Sequence, residues 1–420
     1  MVGSLALLAA CGGTDEPTGP ADGRPSASAP VTGGSPSTAE SEAAGPETAE
    51  SGTASLTAYD PPTRFEAHGS LGAPALRNVA LDGQRAYYLA PGELVARDLA
   101  GGTDIGAVKA STSSSDDLPH GPGLGTAEGR RYAVAAFPFR TKGTGSGGDT
   151  AGVEVVAMDA ATGEEAWRTR WVLPASYDPY LVTYVAGIAG RTAVVVSHGE
   201  HRYPVTYGID LVTHEQTWRR PAFKAQLVQG TRVIGQKRGA EDALRLAAVD
   251  GAKGRDLWTG MEVGGDWTVE AFAPDRAWVG DPDGRAVVDS ATGANKKYEG
   301  FGERLHSVEN CVDDALRTTV CFSRTVKGGE ISAYDRTGTR LWRVGGPSDT
   351  SGRKEMRLQS AFHGAVYVHL SDGPYVPLVL DAATGADKVT DPVTAPQLAN
   401  PYVGLVTSGQ GGIEVHRATG

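Results

Sequence analysis

Apolar residues along this chain come in short β-rich runs, each closed by a turn. Ala86-Tyr87-Tyr88-Leu89, Thr192-Ala193-Val194-Val195-Val196 and Ala365-Val366-Tyr367-Val368-His369-Leu370 are three such runs. Each precedes a turn and then another β-rich stretch, of which Val153-Glu154-Val155-Val156-Ala157-Met158 is an example. Runs this short, bounded by Gly, Asp and Thr, predict strands rather than helices. No apolar run approaches the roughly 20 residues of a membrane-spanning helix.

The second stretch ends in a motif that recurs. The clearest copies are Met158-Asp159-Ala160-Ala161-Thr162-Gly163-Glu164-Glu165-Ala166-Trp167 and Tyr334-Asp335-Arg336-Thr337-Gly338-Thr339-Arg340-Leu341-Trp342. Val249-Asp250 leads through Gly254 to Trp258, and Ile209-Asp210 leads through Thr213-His214 to Trp218. Weaker copies begin at Asp98, Asp289, Asp381 and His416. The aspartate can accept hydrogen bonds from backbone N–H groups two residues on and so start a turn. The glycine supplies the φ > 0 conformation that closes the hairpin, and His214 holds that place in one copy. Tryptophan follows glycine by four residues in the strong copies, which sets each indole at one point of an outer strand, facing the neighbouring copy.

The anchors Asp98, Asp159, Asp210, Asp250, Asp289, Asp335, Asp381 and His416 lie about 45 residues apart on average. A unit of roughly 40–50 residues with several short strands is the size of one four-stranded propeller blade. The pattern Asp-x-x-Thr-Gly-x-x-x-Trp resembles the PQQ-like β-propeller repeat. That family includes quinoprotein dehydrogenases, periplasmic scaffold lipoproteins and extracytoplasmic sensor domains. The resemblance covers residues 62–420 and implies an all-β, eight-bladed propeller of four-stranded antiparallel blades. It also implies that Asp159, Gly163, Trp167, Asp210, Trp218, Asp250, Gly254, Trp258, Asp335, Gly338 and Trp342 dock the blades. The last copy stops at Gly420 before its outer strand can form, and Thr63-Arg64-Phe65-Glu66-Ala67-His68 can supply it. Seven blades is the alternative if the His416 copy is spurious.

The start of the chain is different. Leu5 to Ala10 is a short apolar run ending in small residues before Cys11, the form of a signal segment. Leu8-Ala9-Ala10-Cys11 resembles the bacterial lipobox, which implies lipidation of Cys11. No Lys or Arg precedes the run, so a start upstream is expected. Residues 1–10 are then the signal segment and 11–61 a lipidated tether. Residues 12–60 are rich in Gly, Pro, Ser, Thr, Ala and Glu, with Val31, Leu56 and Tyr59 as the large apolar or aromatic residues. Such a composition cannot offset its ordering entropy. The tether holds eight acids against Arg24, and so seven of the eleven net negative charges. A net charge of −11 argues against a nucleic-acid partner bound through a basic surface. Glycine, at 57 of 420 residues, is about twice its usual level and fits a chain of many turns.

Candidate chemistry is sparse. With Cys11 assigned to lipid, Cys311 and Cys321 remain, on two stretches joined by a turn near Asp313-Asp314, and a disulfide is expected in an exported protein. Their spacing is not a zinc pattern. The quinoprotein dehydrogenases of the resembled family hold their cofactor with a vicinal cysteine pair and a calcium ion, and this chain has no adjacent cysteines. Asp281-Pro282-Asp283-Gly284 lacks the later ligands of a calcium loop, and His198-Gly199-Glu200-His201 lacks the helical register of a zinc protease. Gly143-Thr144-Gly145-Ser146-Gly147-Gly148 has no following Lys-Ser/Thr. Residues 110–124, 139–150 and 173–181 read as insertions, and Tyr177, Tyr180 and Trp267 are candidate partner-binding aromatics at the rim. The expectation is a monomeric propeller without cofactor. It is held to the outer face of the cell membrane by lipid and acts as a non-catalytic scaffold or sensor that binds an envelope protein, a glycan or a small ligand. A quinone-dependent dehydrogenase with an atypical cofactor site is the alternative.

Overall fold

The computed structural model describes residues 55–111, 121–143, 150–173, 181–199, 203–265, 267–280, 285–296, 308–325, 328–346, 353, 355–370 and 376–420. They form eight four-stranded antiparallel sheets arranged as the blades of a ring. Blades 1 to 7 follow the chain, spanning 79–109, 123–172, 182–221, 223–262, 268–296, 308–345 and 356–389. Blade 8 takes Leu398–Ala399, Val403–Thr407 and Ile413–Ala418 from the end of the chain and Phe65–Ser70 from its beginning. The strands of each blade are counted outward from the axis, so Phe65–Ser70 is the fourth strand of blade 8. It pairs antiparallel with Ile413–Ala418, Phe65 opposite Ala418. Seven blades are thereby excluded, and the two ends of the chain close the ring within one blade.

Strand periodicity explains why the runs are apolar at nearly every position. Successive side chains point to opposite faces of a sheet, and in a ring each face meets another blade. In blade 3, Ala193 and Val195 pack toward blade 2, whereas Val194 and Val196 pack toward blade 4. In blade 2, Val153, Val155 and Ala157 face blade 3, while Val156 and Met158 face blade 1. One hydrophobic cluster fills each of the eight junctions, the last joining blades 8 and 1 through Val403, Leu405, Val415, Tyr88 and Val95. Burial on both faces replaces the alternating apolar and polar pattern of a half-exposed strand.

The His416 anchor is off by one residue. In blades 1, 3, 4, 5 and 7 the anchor aspartate sits opposite the first residue of the second strand, as in Thr192↔Asp210, and in blade 2 opposite the third, Tyr132. In blade 8 the corresponding pair is Val403↔Arg417. The Ala418 amide also donates to Tyr402 O, as the Ala160 amide donates to Arg131 O. Arg417 therefore stands at the aspartate position. The sequence misplaces it because no turn follows here for an aspartate to start.

The residues before the first strand are bound to the ring. The Leu56 amide donates to Gln84 Oε1 at 2.8 Å in blade 1, and the Tyr59 amide to Pro401 O at 2.8 Å in blade 8. Asp60 pairs with His363 of blade 7, and Tyr367 Oη donates to Pro62 O at 2.7 Å. Residues 55–61, assigned to the tether from composition, thus run across the turns between first and second strands of blades 7, 8 and 1. These turns and the Asp–Gly turns share one face of the ring, called here the turn face. The opposite face takes the connections between second and third strands and between blades.

Candidate functional site

The repeated motif is an interlock between neighbours. Asp210 Oδ1 accepts from the Val212 and Thr213 amides at 2.8 and 3.0 Å, and Asp250 Oδ1 from Ala252 and Lys253 at 3.0 and 2.9 Å. Asp159, Asp289 and Asp381 do the same. Asp335 closes a turn one residue shorter, accepting from Thr337 and Thr339. Arg130 holds the Asp159 carboxyl below the usual carboxylate range, aided by the Ala161 and Thr162 amides. Burial alone would raise the Asp210 carboxyl, yet its two amides and Arg191 together bring it below that range.

Each docked indole covers the next blade's turn. Trp218 Nε1 donates to Gly251 O at 2.8 Å, Trp258 Nε1 to Ser290 O at 3.0 Å and Trp342 Nε1 to Ala382 O at 2.7 Å. The acceptor is in every case the residue after the anchor aspartate. The indole face lies on the turn glycine. A Cβ built on Gly254 would stand 2.7 Å from Trp218 Cδ2, and Gly254 itself has φ +65°. At the junction of blades 2 and 3, His214 takes the glycine place at φ +61°. A side chain there cannot coexist with an indole in the usual position. Trp167 instead stacks on the imidazole at 4.9 Å, and its buried Nε1 has no hydrogen-bond partner.

Two junctions substitute other residues. Gly106 stands four residues past Gly102, and Gly163 packs directly on its backbone. The carbonyl that an indole would have reached, Ala160 O, accepts instead from Tyr87 Oη at 2.7 Å and from Arg85 Nη1. At the closure of blade 8 on blade 1, His68 Nε2 donates to Leu99 O at 2.8 Å, the residue after Asp98. His68 is thus the tryptophan equivalent at the seam. Its strand precedes the first repeat, so spacing from a turn glycine could not reveal it.

Glu154 was also missed. It is fully buried, accepts from the Ser111 amide and hydroxyl at 2.7 and 2.6 Å, and pairs with Arg168 at 2.9 Å. Burial would raise its carboxyl, but Ser111 and Arg168 hold it below the usual range. The network fastens the outer strands of blades 1 and 2.

Cys311 and Cys321 lie directly opposite each other on the first two strands of blade 6 and are joined by a disulfide. Trp267 is half-buried against the core between blades 4 and 5, and its carbonyl accepts from Gln236 Nε2 at 2.7 Å. Tyr177, Tyr180, Cys11, Asp281–Gly284 and Glu200–His201 lie outside the described residues. The two cysteines are consumed across a strand pair, and among the described residues no group of three or more His, Cys, Asp or Glu could hold a metal ion.

A cleft of about 600 Å³ opens on the turn face where blades 8, 1 and 2 meet. Asp82, Gln84, Arg85, Tyr87 and Asp98 of blade 1 line it, with Arg131 and Ala160 of blade 2, Tyr402 of blade 8 and Ser55 at its edge. Arg131 Nε and Asp82 Oδ2 pair across the blades at 2.9 Å. Burial pushes the Tyr87 hydroxyl up, so it stays protonated as a donor. The sequence gives no sign of this cleft, because its walls come from three repeats.

A family model described as the outer membrane protein assembly factor BamB matches residues 151–298, from the third strand of blade 2 through blade 5. Among solved structures, BamB from Moraxella catarrhalis is similar at a TM-score of 0.47 and 15% identity, over 86% of this chain and 99% of that one. The quinohemoprotein alcohol dehydrogenase ADHIIG from Pseudomonas putida HK5 has a TM-score of 0.48 and 12% identity, covering 84% of this chain and 76% of that one. A europium-containing methanol dehydrogenase has a TM-score of 0.45 and 12% identity over 84% of each chain. Likeness at this level says nothing of activity. No curated protein matches the sequence significantly. The described residues thus form an eight-bladed β-propeller, of which 151–298 match a PQQ-like repeat family.

Proposed function

We propose that the chain is a non-catalytic binding propeller of the bacterial cell envelope, tethered by lipid on Cys11 and presenting the face opposite its turn face to an envelope protein. The observation that carries this is the placement of the chain's N-terminal approach. Residues 55–62 are bonded to blades 7, 8 and 1 on the turn face. The described chain thus enters the ring on its turn face, which favours the opposite face, where the blades connect, for a partner. The Cys311–Cys321 disulfide supports an oxidising compartment. The matching family's description, an outer membrane assembly factor, is in keeping with a scaffold in an envelope complex.

The test is a pair of experiments on the full chain expressed in a bacterial host. Fractionation with intact mass should place the protein in the membrane with a diacyl shift, and Cys11→Ser should release it. A photo-crosslinker at Tyr203, half-exposed on the opposite face, should capture one envelope protein reproducibly, while a crosslinker at Lys253, on a turn-face hairpin, should not. Soluble, unmodified protein would end the envelope reading. A bound quinone chromophore and a raised melting temperature on adding quinone and calcium would replace the scaffold by the dehydrogenase.

A further inference from the structure

We propose that the cleft between blades 8, 1 and 2 binds a small zwitterion: a free amino acid or a short peptide with unblocked ends. Arg85 and Asp98 sit directly opposite each other on the second and third strands of blade 1. Side chains at opposed positions leave the same face of the sheet, where opposite charges ordinarily pair. These two do not. Arg85 is drawn across the junction to Ala160 O, and Asp98 Oδ2 turns to the Gly101 amide at 2.7 Å. Neither has an oppositely charged side chain within ion-pair distance among the described residues, although both line the cleft. Asp159 and Asp210, at the same place in the next blades, are each paired with an arginine at 2.8 Å. Blade 1 therefore offers a guanidinium with N–H groups to spare beside a carboxylate with an oxygen to spare.

The charge balance selects the ligand. The lining holds two arginines and two aspartates, and Arg131 and Asp82 already satisfy each other. A phosphate would face Asp98 and Asp82, and a polycation would face Arg85 and Arg131. A neutral sugar would desolvate two charges without pairing either. A carboxylate on Arg85 and an ammonium on Asp98 satisfy both, and the volume lies in the range of small-ligand sites. Tyr402 would flank the side chain of such a ligand.

Calorimetric titration of the full chain with Ala-Ala, N-acetyl-Ala-Ala and Ala-Ala amide tests this. The free dipeptide should bind, and each blocked form should bind at least about tenfold more weakly, one charge-assisted contact being lost. Asp98→Asn keeps an acceptor for the Gly101 amide and so keeps the turn. It should weaken the free dipeptide about tenfold or more while leaving the N-acetyl form unchanged. Equal affinity for free and blocked dipeptides, full affinity in Asp98→Asn, or no heat up to about 10 mM ligand would overturn the proposal. The envelope reading is measured by fractionation and stands or falls apart from it.

Discussion

Replacing tryptophan by phenylalanine at two blade junctions separates the hydrogen bond of the interlock from its packing. At Trp218 the change removes an indole N–H that donates to Gly251 O at 2.8 Å in a buried contact. The carbonyl is left without that partner, which costs about 1–3 kcal/mol. Loss of the smaller ring adds roughly 1 kcal/mol. At Trp167 the same change removes a buried N–H that has no partner. The packing loss remains, offset by relief of an unsatisfied donor, so the expected cost is about 1 kcal/mol or less. Urea unfolding followed by circular dichroism should therefore show the Trp218 variant less stable than the Trp167 variant by about 1–3 kcal/mol. In a domain of this size that is a melting difference of about 1–4 °C. A third variant closes the argument. His214→Gly supplies the surface on which other indoles lie, so in that background Trp167→Phe should become as costly as Trp218→Phe. Equal destabilisation at Trp167 and Trp218 in the parent protein would refute the claim that the carbonyl contact carries the difference.

Gly254→Ala sets a Cβ against Trp218 and forces a positive φ on alanine, for a loss of about 2–4 kcal/mol in unfolding free energy. The Cys311–Cys321 bond closes a separation of 10 residues within a strand pair already in register. Reduction should lower stability by at most about 2–3 kcal/mol, read as the melting shift with and without reductant. The Asp210 carboxyl is depressed in the folded state. Its contribution is present above the unfolded carboxylate range and is lost as pH falls through the folded value. Asp210→Asn should thus flatten the acid limb of the stability profile, and an unchanged limb would remove Asp210 as a source of acid sensitivity. His68→Ala should raise hydrogen exchange of Phe65–Ser70 and Ile413–Ala418 above that of the other blades, because His68 makes the indole-type contact at the seam.

The sequence by itself determined the repeat, the aspartate turns and the tryptophan positions, and narrowed the blades to eight or seven. These are local: a carboxylate reaching amides two and three residues on, a residue in the left-handed region, and a ring at a fixed offset are written within ten residues. It also offered the beginning of the chain as the missing strand of the final blade, a pairing that the structure established. Tertiary structure alone decided what each motif residue meets. Trp167 and Trp218 occupy the same place in their repeats, yet one donates to a carbonyl and the other does not, because the partner turn carries glycine in one case and His214 in the other. His68, Arg417 and the Tyr87–Ala160 contact perform motif roles without motif residues, since a neighbouring blade recognises a donor at a place rather than a letter in a pattern. The cleft is the extreme case. Arg85 and Asp98 are close in sequence, but whether opposed charges pair or stand open depends on a carbonyl some seventy residues further on, which only the closed ring brings into reach.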